Sequence, residues 1–379
     1  MKVVVLGAGM VGGAIARDLA RGGEFAVTVV DASAAALARL AGEAGVTAVR
    51  ADLTGEGTVA RVVEGHDLVV GAVPGHMGFA TLAAVLACGR PVVDISFFPE
   101  DPFALDALAR ERGVPALVDF GIAPGCSNLI LGRMEEELAP VERFLCLVGG
   151  LPAVRVWPWE YKAGFSPADV LEEYTRPARY VSGGRVVTVP ALSESELVDF
   201  PEVGTLEAFN TDGLRTLLTT ARVAFMQEKT MRYPGHIDKI RVLRESGFLS
   251  RGPVDVGGQS LRPLDLTAKL LFPLWKLADA EADLTAMRVC VEGSQNGCKV
   301  RRTFELLDRH DPATGTSSMA RTTGYTCTAG VRLLARGMFT RPGIAPPELV
   351  GRERNCYAFV MGELAGRGVV FHETTVERG

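Results

Sequence analysis

The sequence predicts an α/β protein of two units: a doubly wound parallel sheet, followed by a second mixed α/β domain on a largely antiparallel sheet. Three observations carry this expectation. From Lys2 to Asp119 short β-branched runs alternate with Ala/Leu/Arg-rich helical stretches. Beyond Pro124-Gly125 strands and helices come in runs instead of alternating. The chain has 379 residues, which suits two units at about 150 residues per domain.

The strands expected in the first unit are residues 3–6, 27–30, 47–50, 68–70, 92–94 and 116–118. Several are apolar at consecutive positions, the pattern of strands covered on both faces. In the second unit a helix is expected around 127–137, then β-like runs at 141–149, 185–189 and 207–211, and helices at 237–248 and 264–277. Strands at 286–292 and 299–307 flank Gly293-Ser294-Gln295-Asn296-Gly297, whose Asn-Gly is a hairpin turn. A helix over 326–336, a stretch at 357–364 and a strand-like run at 369–371 complete the chain.

The first strand runs into Gly7-Ala8-Gly9-Met10-Val11-Gly12, which opens a helical stretch over 11–20. Gly7 permits a tight turn, Gly9 lets a pyrophosphate approach the backbone, and Gly12 lets helix and strand pack closely. The N–H groups at Met10 and Val11 then belong to a helix amino terminus, which favours an anion. This is a Rossmann fingerprint. Asp31 ends the second strand 19 residues beyond Gly12, where a carboxylate accepts from a ribose 2′-OH and repels a 2′-phosphate. Between Asp31 and Arg39 stands no basic residue, so NAD is expected over NADP. Ala32 neighbours this carboxylate; Asp52 and Leu53 are expected toward the adenine, and Ala72, Val73 and Pro74 beside the nicotinamide ribose. Asp94 and Ile95 end the fifth strand and Gly121 follows the sixth. Ligands in such sheets lie outside the strands' carboxyl ends.

With 47% apolar and 22% charged residues the composition is globular. Forty basic against 45 acidic residues, a net of −5, argues against a nucleic-acid partner. The seven cysteines form no CxxC pair and no zinc-ligand spacing, so no metal is expected, and the set reads as reduced thiols. Cys290 and Cys298 flank the hairpin and are the nearest pair. The opening apolar run is too short for a signal peptide, and no stretch has the roughly 18 apolar residues of a membrane span. A cytoplasmic setting is expected.

Beyond residue 140 longer motifs stand out: Gly149-Gly150-Leu151-Pro152, Trp159-Glu160-Tyr161-Lys162, Glu173-Tyr174-Thr175-Arg176-Pro177-Ala178, the stretch from Leu206 to Leu217 containing Asn210-Thr211-Asp212-Gly213, and Glu228 to His236. With Asp119 to Gly125 they resemble the saccharopine dehydrogenase-like superfamily over nearly the whole chain, most of all its L-lysine 6-dehydrogenase branch. The resemblance implies that the second domain carries substrate, that a late segment crosses back to the nucleotide domain, and that the protein is a homodimer. The expected divisions are 1–124 for dinucleotide, 125–316 for substrate and dimerisation, and 317–379 returning in part to the first. The implied activity is NAD-dependent oxidative deamination of the ε-amino group of L-lysine: hydride to NAD, imine hydrolysis, ammonia release and cyclisation of the aldehyde. A saccharopine-type dehydrogenase acting on a secondary amine is the rival within the fold, and a non-catalytic NAD-sensing protein the rival outside it.

Amine oxidation needs a base to hold the nitrogen neutral. Tyr161 and Lys162, after a Trp/Pro-rich turn, and His236, with a suitable ordinary pKa, are the candidates; His76 ranks lower. An amino-acid head needs a cation for its carboxylate, for which Arg215 and Arg232 are candidates, and an acid for its ammonium, for which Asp212 or Glu160 is suited. Thr211 belongs to the small polar turn that brings backbone near a ligand and caps a helix beginning at Leu214. The loop Ser96-Phe97-Phe98-Pro99-Glu100-Asp101 is more apolar and acidic than the Gly/His-rich loop of some lysine dehydrogenases.

Overall fold

The structure, a computed structural model, describes residues 1–165, 167–278 and 281–378. Strands are numbered in chain order. The six β-branched runs become β1 (Lys2–Leu6), β2 (Ala26–Asp31), β3 (Val46–Arg50), β4 (Leu68–Gly71), β5 (Val92–Asp94) and β6 (Pro115–Leu117). They pair in parallel in the order β6-β5-β4-β1-β2-β3, and a late strand, β17 (Gly343–Ala345), extends the β6 edge. Three residues were too few to signal β17 in the sequence; its register on Pro115 to Leu117 shows where the chain returns.

Both faces of this sheet are covered, which explains the unbroken apolar runs. Val3, Val5, Val27 and Val29 pack on Ile15 and Leu19 of the helix Met10–Ala20. Val4, Leu6 and Val69 pack on Leu82, Val85 and Leu86 from the other side. The helix Ser318–Ala335 lies against the helix Met10–Ala20 and is tied to it by charge. Asp18 accepts from Arg332 and Arg367 at 2.7 Å each and from Thr328 at 2.6 Å.

The second sheet comprises β7 (Val141–Pro152), β8 (Ala178–Ser182), β9 (Arg185–Val189), β10 (Glu196–Phe200), β11 (Gly204–Asn210), β12 (Phe225–Arg232), β15 (Asp283–Gln295), β16 (Cys298–Arg309) and β18 (His372–Arg378). A separate small hairpin joins β13 (Val254–Val256) to β14 (Gln259–Leu261). The main path runs β10-β11-β12-β7-β15-β16-β18, antiparallel except where β12 meets β7. Phe144, Cys146, Met287 and Val289 on its inner face share a core with Leu129 and Ile130 of the helix Cys126–Glu137. Leu147, Leu206 and Met231 form a second core on the outer face.

Two local expectations are corrected. The terminal strand is His372–Arg378, not 369–371; its alternating polar sequence suits a mostly exposed edge pairing with β16. The helix after the Asn210 turn begins at Leu217 and makes one turn, because Arg215 holds a left-handed φ of +52° that a helix cannot include. In the hairpin Cys290 faces Thr303 while Cys298 faces Gln295, so that pairing register keeps the two thiols on separate rungs.

Candidate active site

A cavity of about 490 Å³ opens between the carboxyl ends of the first sheet and the inner face of β7 and β12. At its nucleotide end the three fingerprint glycines have separate physical reasons. A Cβ on Gly7, whose φ is +109°, would lie 2.3 Å from the Ala72 carbonyl oxygen, and one on Gly12 would lie 2.1 Å from that of Gly7. A Cβ on Gly9 would meet no protein atom within 4 Å; Gly9 instead lines the cavity, with Met10, Val11 and Gly12 beside it. No acidic residue occupies the first turn of the helix. An open backbone cradle at a helix amino terminus fits a dinucleotide pyrophosphate.

The Asp31 carboxylate is fixed by two backbone donors at 2.7 Å, Ala8 N–H on Oδ2 and Ser33 N–H on Oδ1. It lines the cavity, and so does Arg39. The sequence alone does not place Arg39 here, because seven intervening residues hide the return made by the short helix Ala34–Ala38. Ala72, Val73, Pro74, Ile95 and Gly121 line the cavity as well.

Four other residues expected at the nucleotide site are absent from the cavity wall. The Ala32 carbonyl accepts from Arg50 at 3.2 Å. Asp52 accepts from the N–H and O–H of Thr54, while Leu53 leans on the core below. Asp94 is fully buried beneath Gly71, where burial, reinforced by the charge of Asp119, pushes its carboxyl up to about 8.

The opposite end is built on strand alternation. Met226, Glu228, Thr230 and Arg232 point to the inner face of β12, while Gln227, Lys229 and Met231 point away, toward Asn210, Glu196 and the outer core. Side chains two apart on one face are about 6.8 Å apart along a strand, so a carboxyl, a hydroxyl and a guanidinium form a row in the cavity wall. Thr211, Asp212 and Gly213 border it. Thr211 Oγ1 donates to Glu228 Oε2 at 2.6 Å and sits 2.9 Å from Thr230 Oγ1. Burial, opposed by that hydrogen bond, pushes Glu228 up to about 7.

Arg232 is oriented by a chain of hydrogen bonds. Its Nη2 donates to Glu173 at 3.0 Å and its Nε to the Tyr174 hydroxyl at 3.2 Å. His236 Nδ1 lies 2.9 Å from the Trp159 carbonyl, which can only accept, so Nδ1 carries the proton and Nε2 accepts from Tyr174 at 2.9 Å. Burial pushes His236 down to about 3, helped by the charge of Arg232. The Tyr161 ring lies 4.6 Å below the guanidinium and 5.0 Å from His236.

Of the residues expected to do acid–base work, none lines the cavity. Tyr161 and His236 are sealed in the aromatic cluster with Tyr174 and Trp275. Lys162 turns to Glu281 at 3.0 Å. Arg215 lies behind the wall, ion-paired to Asp119 at 3.0 Å. Asp212 lines the cavity with its carboxylate held by Arg179 at 2.8 Å, while Glu160 pairs with Arg155. Several motif residues to which the sequence assigns no role line the cavity as well, among them Glu228, Arg176, Glu173 and Thr230. Arg176 stacks 5.3 Å from the Phe97 ring and lies 3.9 Å from Glu172. The available signal for Glu228 was a strand with polar residues on both faces.

Among the described residues no group of three or more His, Cys, Asp or Glu side chains is placed to hold a metal, and no helix is long and apolar enough to cross a membrane. The fold and cavity define a two-domain protein with a Rossmann dinucleotide site facing a polar, ionisable ligand pocket. The chain belongs to the saccharopine dehydrogenase family: residues 121–369 match the saccharopine dehydrogenase C-terminal domain and residues 3–117 the saccharopine dehydrogenase NADP binding domain. The apo saccharopine dehydrogenase (L-Glu forming) of Saccharomyces cerevisiae superposes with a TM-score of 0.81 over 99% of both chains, at 20% identity. A saccharopine dehydrogenase (NADP+, L-glutamate-forming) of Schizosaccharomyces pombe is 22% identical, covering 91% of this chain and 93% of its own. The mitochondrial alpha-aminoadipic semialdehyde synthase of Rattus norvegicus is 24% identical over 66% of this chain, which spans only 28% of that protein.

Proposed function

We propose that this protein is a nicotinamide-dinucleotide-dependent dehydrogenase that oxidises the ε-amine of L-lysine, with NAD as the preferred cofactor. The observation that carries this choice is the charge of the substrate end. Asp119, Asp169, Glu172, Glu173, Asp212 and Glu228 line the cavity against Arg176, Arg232 and Lys276, so acids outnumber cations, and both arginines already face a carboxylate. Such a pocket suits a substrate with two ammonium groups and one carboxylate. It suits less well a substrate with three carboxylates, which needs cations free to receive them.

Arg232 and Arg176 would receive the lysine carboxylate, the first held in place by Tyr174 and Glu173 and the second by its stacking on Phe97. Asp212 and its acidic neighbours would receive the α-ammonium. The glycine cradle and Asp31 would hold the dinucleotide, whose nicotinamide, when bound, supplies the hydride acceptor. The resemblance also supports a homodimer, and the scattered cysteine set a cytoplasmic setting. Asp31 supports NAD, while Arg39 at the same end gives a 2′-phosphate a partner, so NADP is the specific second reading for the cofactor. The names of the relatives support a second reading for the substrate, a saccharopine-type reaction at a secondary amine. Product analysis separates the two. L-lysine with NAD is expected to yield ammonia and a cyclic imine in equal amounts; glutamate released from saccharopine, with no turnover of lysine, would favour the second.

A further inference from the structure

Resting on the amine-dehydrogenase reading, we propose that Glu228 is the catalytic residue that takes the proton from the substrate amine and later handles the proton of the attacking water, with Thr211 as its positioning residue.

The geometry singles out this carboxyl among the six at the substrate end of the cavity, where Asp169 too is engaged with a partner. Glu173 is paired to Arg232, Asp212 to Arg179, Asp119 to Arg215 and Glu172 to Arg251 and Arg176. Among the described residues no Lys or Arg nitrogen lies within ion-pair distance of Glu228. Its contacts are neutral: the Thr211 hydroxyl at 2.6 Å and the Gly213 backbone N–H. Gly213 is required there, since a Cβ at that position would lie 2.2 Å from Glu228 Oε2. The carboxyl is thus clamped from one side, with the cavity on the other.

The ionisable groups facing it come from every neighbouring element. Glu173 on the helix Pro167–Thr175 and Asp212 in the turn after β11 repel its charge, Arg232 lies beyond Thr230 on β12 itself, and Cys146 is its register partner on β7. All three of these charges are spent in ion pairs, Glu173 with Arg232 and Asp212 with Arg179, and the Cys146 thiol is pushed well up by burial. The group is left protonatable near neutral pH, the range in which general acid–base work is most effective.

The chemistry balances. The carboxylate removes a proton from the ε-ammonium, breaking N–H and forming O–H. The freed lone pair forms the C=N bond as a hydride, with its two electrons, leaves the carbon for NAD, the oxidant. Glu228 loses its proton to solvent, takes one from the water that adds to the iminium carbon, and returns it to the nitrogen; the C–N bond then breaks as C=O forms, and the hydroxyl proton passes to the departing ammonia. The sum is R–CH2–NH3+ plus NAD+ plus H2O giving R–CHO plus NH4+ plus NADH plus H+.

The test is Glu228→Gln, which keeps an acceptor for Thr211 but cannot carry a proton, beside Thr211→Val. Expected for Glu228→Gln is a fall in kcat of about 10²- to 10⁴-fold, with KM for the amine and Kd for the dinucleotide changed no more than a few-fold. Removing the Thr211 hydroxyl removes a donor to the ionised carboxylate, so the acid limb of kcat/KM shifts to higher pH. A readout independent of turnover is the infrared difference spectrum between wild type and Glu228→Gln: a carboxyl C=O stretch that titrates near neutral pH, and does so at higher pH in Thr211→Val. Turnover in wild type with undiminished kcat in Glu228→Gln, or no such titrating band, overturns the assignment of Glu228 alone. No oxidation of any amine by wild type overturns the dehydrogenase reading, and the assignment with it.

Discussion

Asp119 and Arg215 form an ion pair at 3.0 Å with side chains only 1% and 4% exposed, and both hold left-handed backbone, at φ of +54° and +52°. Asp119 follows β6 in the first domain, and Arg215 sits in the turn after β11 in the second. The pair therefore fastens the nucleotide sheet to the substrate-side wall just behind the cavity. Arg215 also donates to the Phe98 carbonyl, which ties down the loop after β5.

Removing one partner leaves the other charged and sealed, a loss of about 3–5 kcal/mol for a buried pair. Arg215→Ala is expected to lower stability by that order in urea unfolding of the dinucleotide-free protein, and Asp119→Asn/Arg215→Gln to lower it less. Equal stability of Arg215→Ala and wild type would show that the pair does not fasten the domains.

The fingerprint glycines are expected to separate binding from folding. Gly9→Ala adds its methyl to the open cradle and should keep the wild-type melting temperature while weakening the dinucleotide at least about tenfold, about 1.4 kcal/mol. Gly12→Ala drives its methyl against the Gly7 carbonyl and should lower stability by about 1–3 kcal/mol, the usual range for overpacking. Calorimetry and fluorescence titration of both variants read the two effects.

Asp31 and Arg39 are expected to act in opposite directions on the two cofactors. Losing a hydrogen bond to a charged acceptor is worth about 1.5–3 kcal/mol, so Asp31→Ala should weaken NAD by about one to two orders of magnitude and NADP far less. Arg39→Ala should weaken NADP and leave NAD nearly unchanged. Titration of each variant with both reduced cofactors checks this; equal losses for both would remove Asp31 as the discriminating residue.

His236 makes stability pH-dependent with a definite sign. Its folded-state pKa, about 3, lies below the ordinary 6.5, so the unfolded chain takes up a proton first as pH falls. That contribution to stability is complete above 6.5 and declines toward pH 3, with a limiting slope of about 1.4 kcal/mol per pH unit. Unfolding of wild type and His236→Asn from pH 7 to 5 should show a shallower decline in the variant, because the variant carries no imidazole to titrate.

The nucleotide half was legible because its signals are local. β1 to β5 are short runs rich in β-branched residues, and Asp31 is found by its distance from Gly12 once the glycine turn is seen. The substrate half depends on relations that a single sequence conceals. His236 was singled out for its ordinary pKa, yet what decides its part is burial between Trp159 and Tyr174. Lys162 and Tyr161 are neighbours in sequence but diverge, one to Glu281 and the other beneath Arg232. Glu228 gains its place only because β12 alternates and Gly213 folds its backbone over the carboxyl. Arg39 reaches the cavity through a five-residue helix that turns back on the sheet.

The most direct measurement is the initial rate of nicotinamide reduction with L-lysine and with saccharopine, each with NAD and with NADP, on the purified chain. The acid-lined pocket and the Asp31 carboxylate predict the highest kcat/KM for L-lysine with NAD. Turnover of saccharopine with no turnover of lysine would contradict the substrate assignment, and reduction of NADP alone would contradict the cofactor assignment.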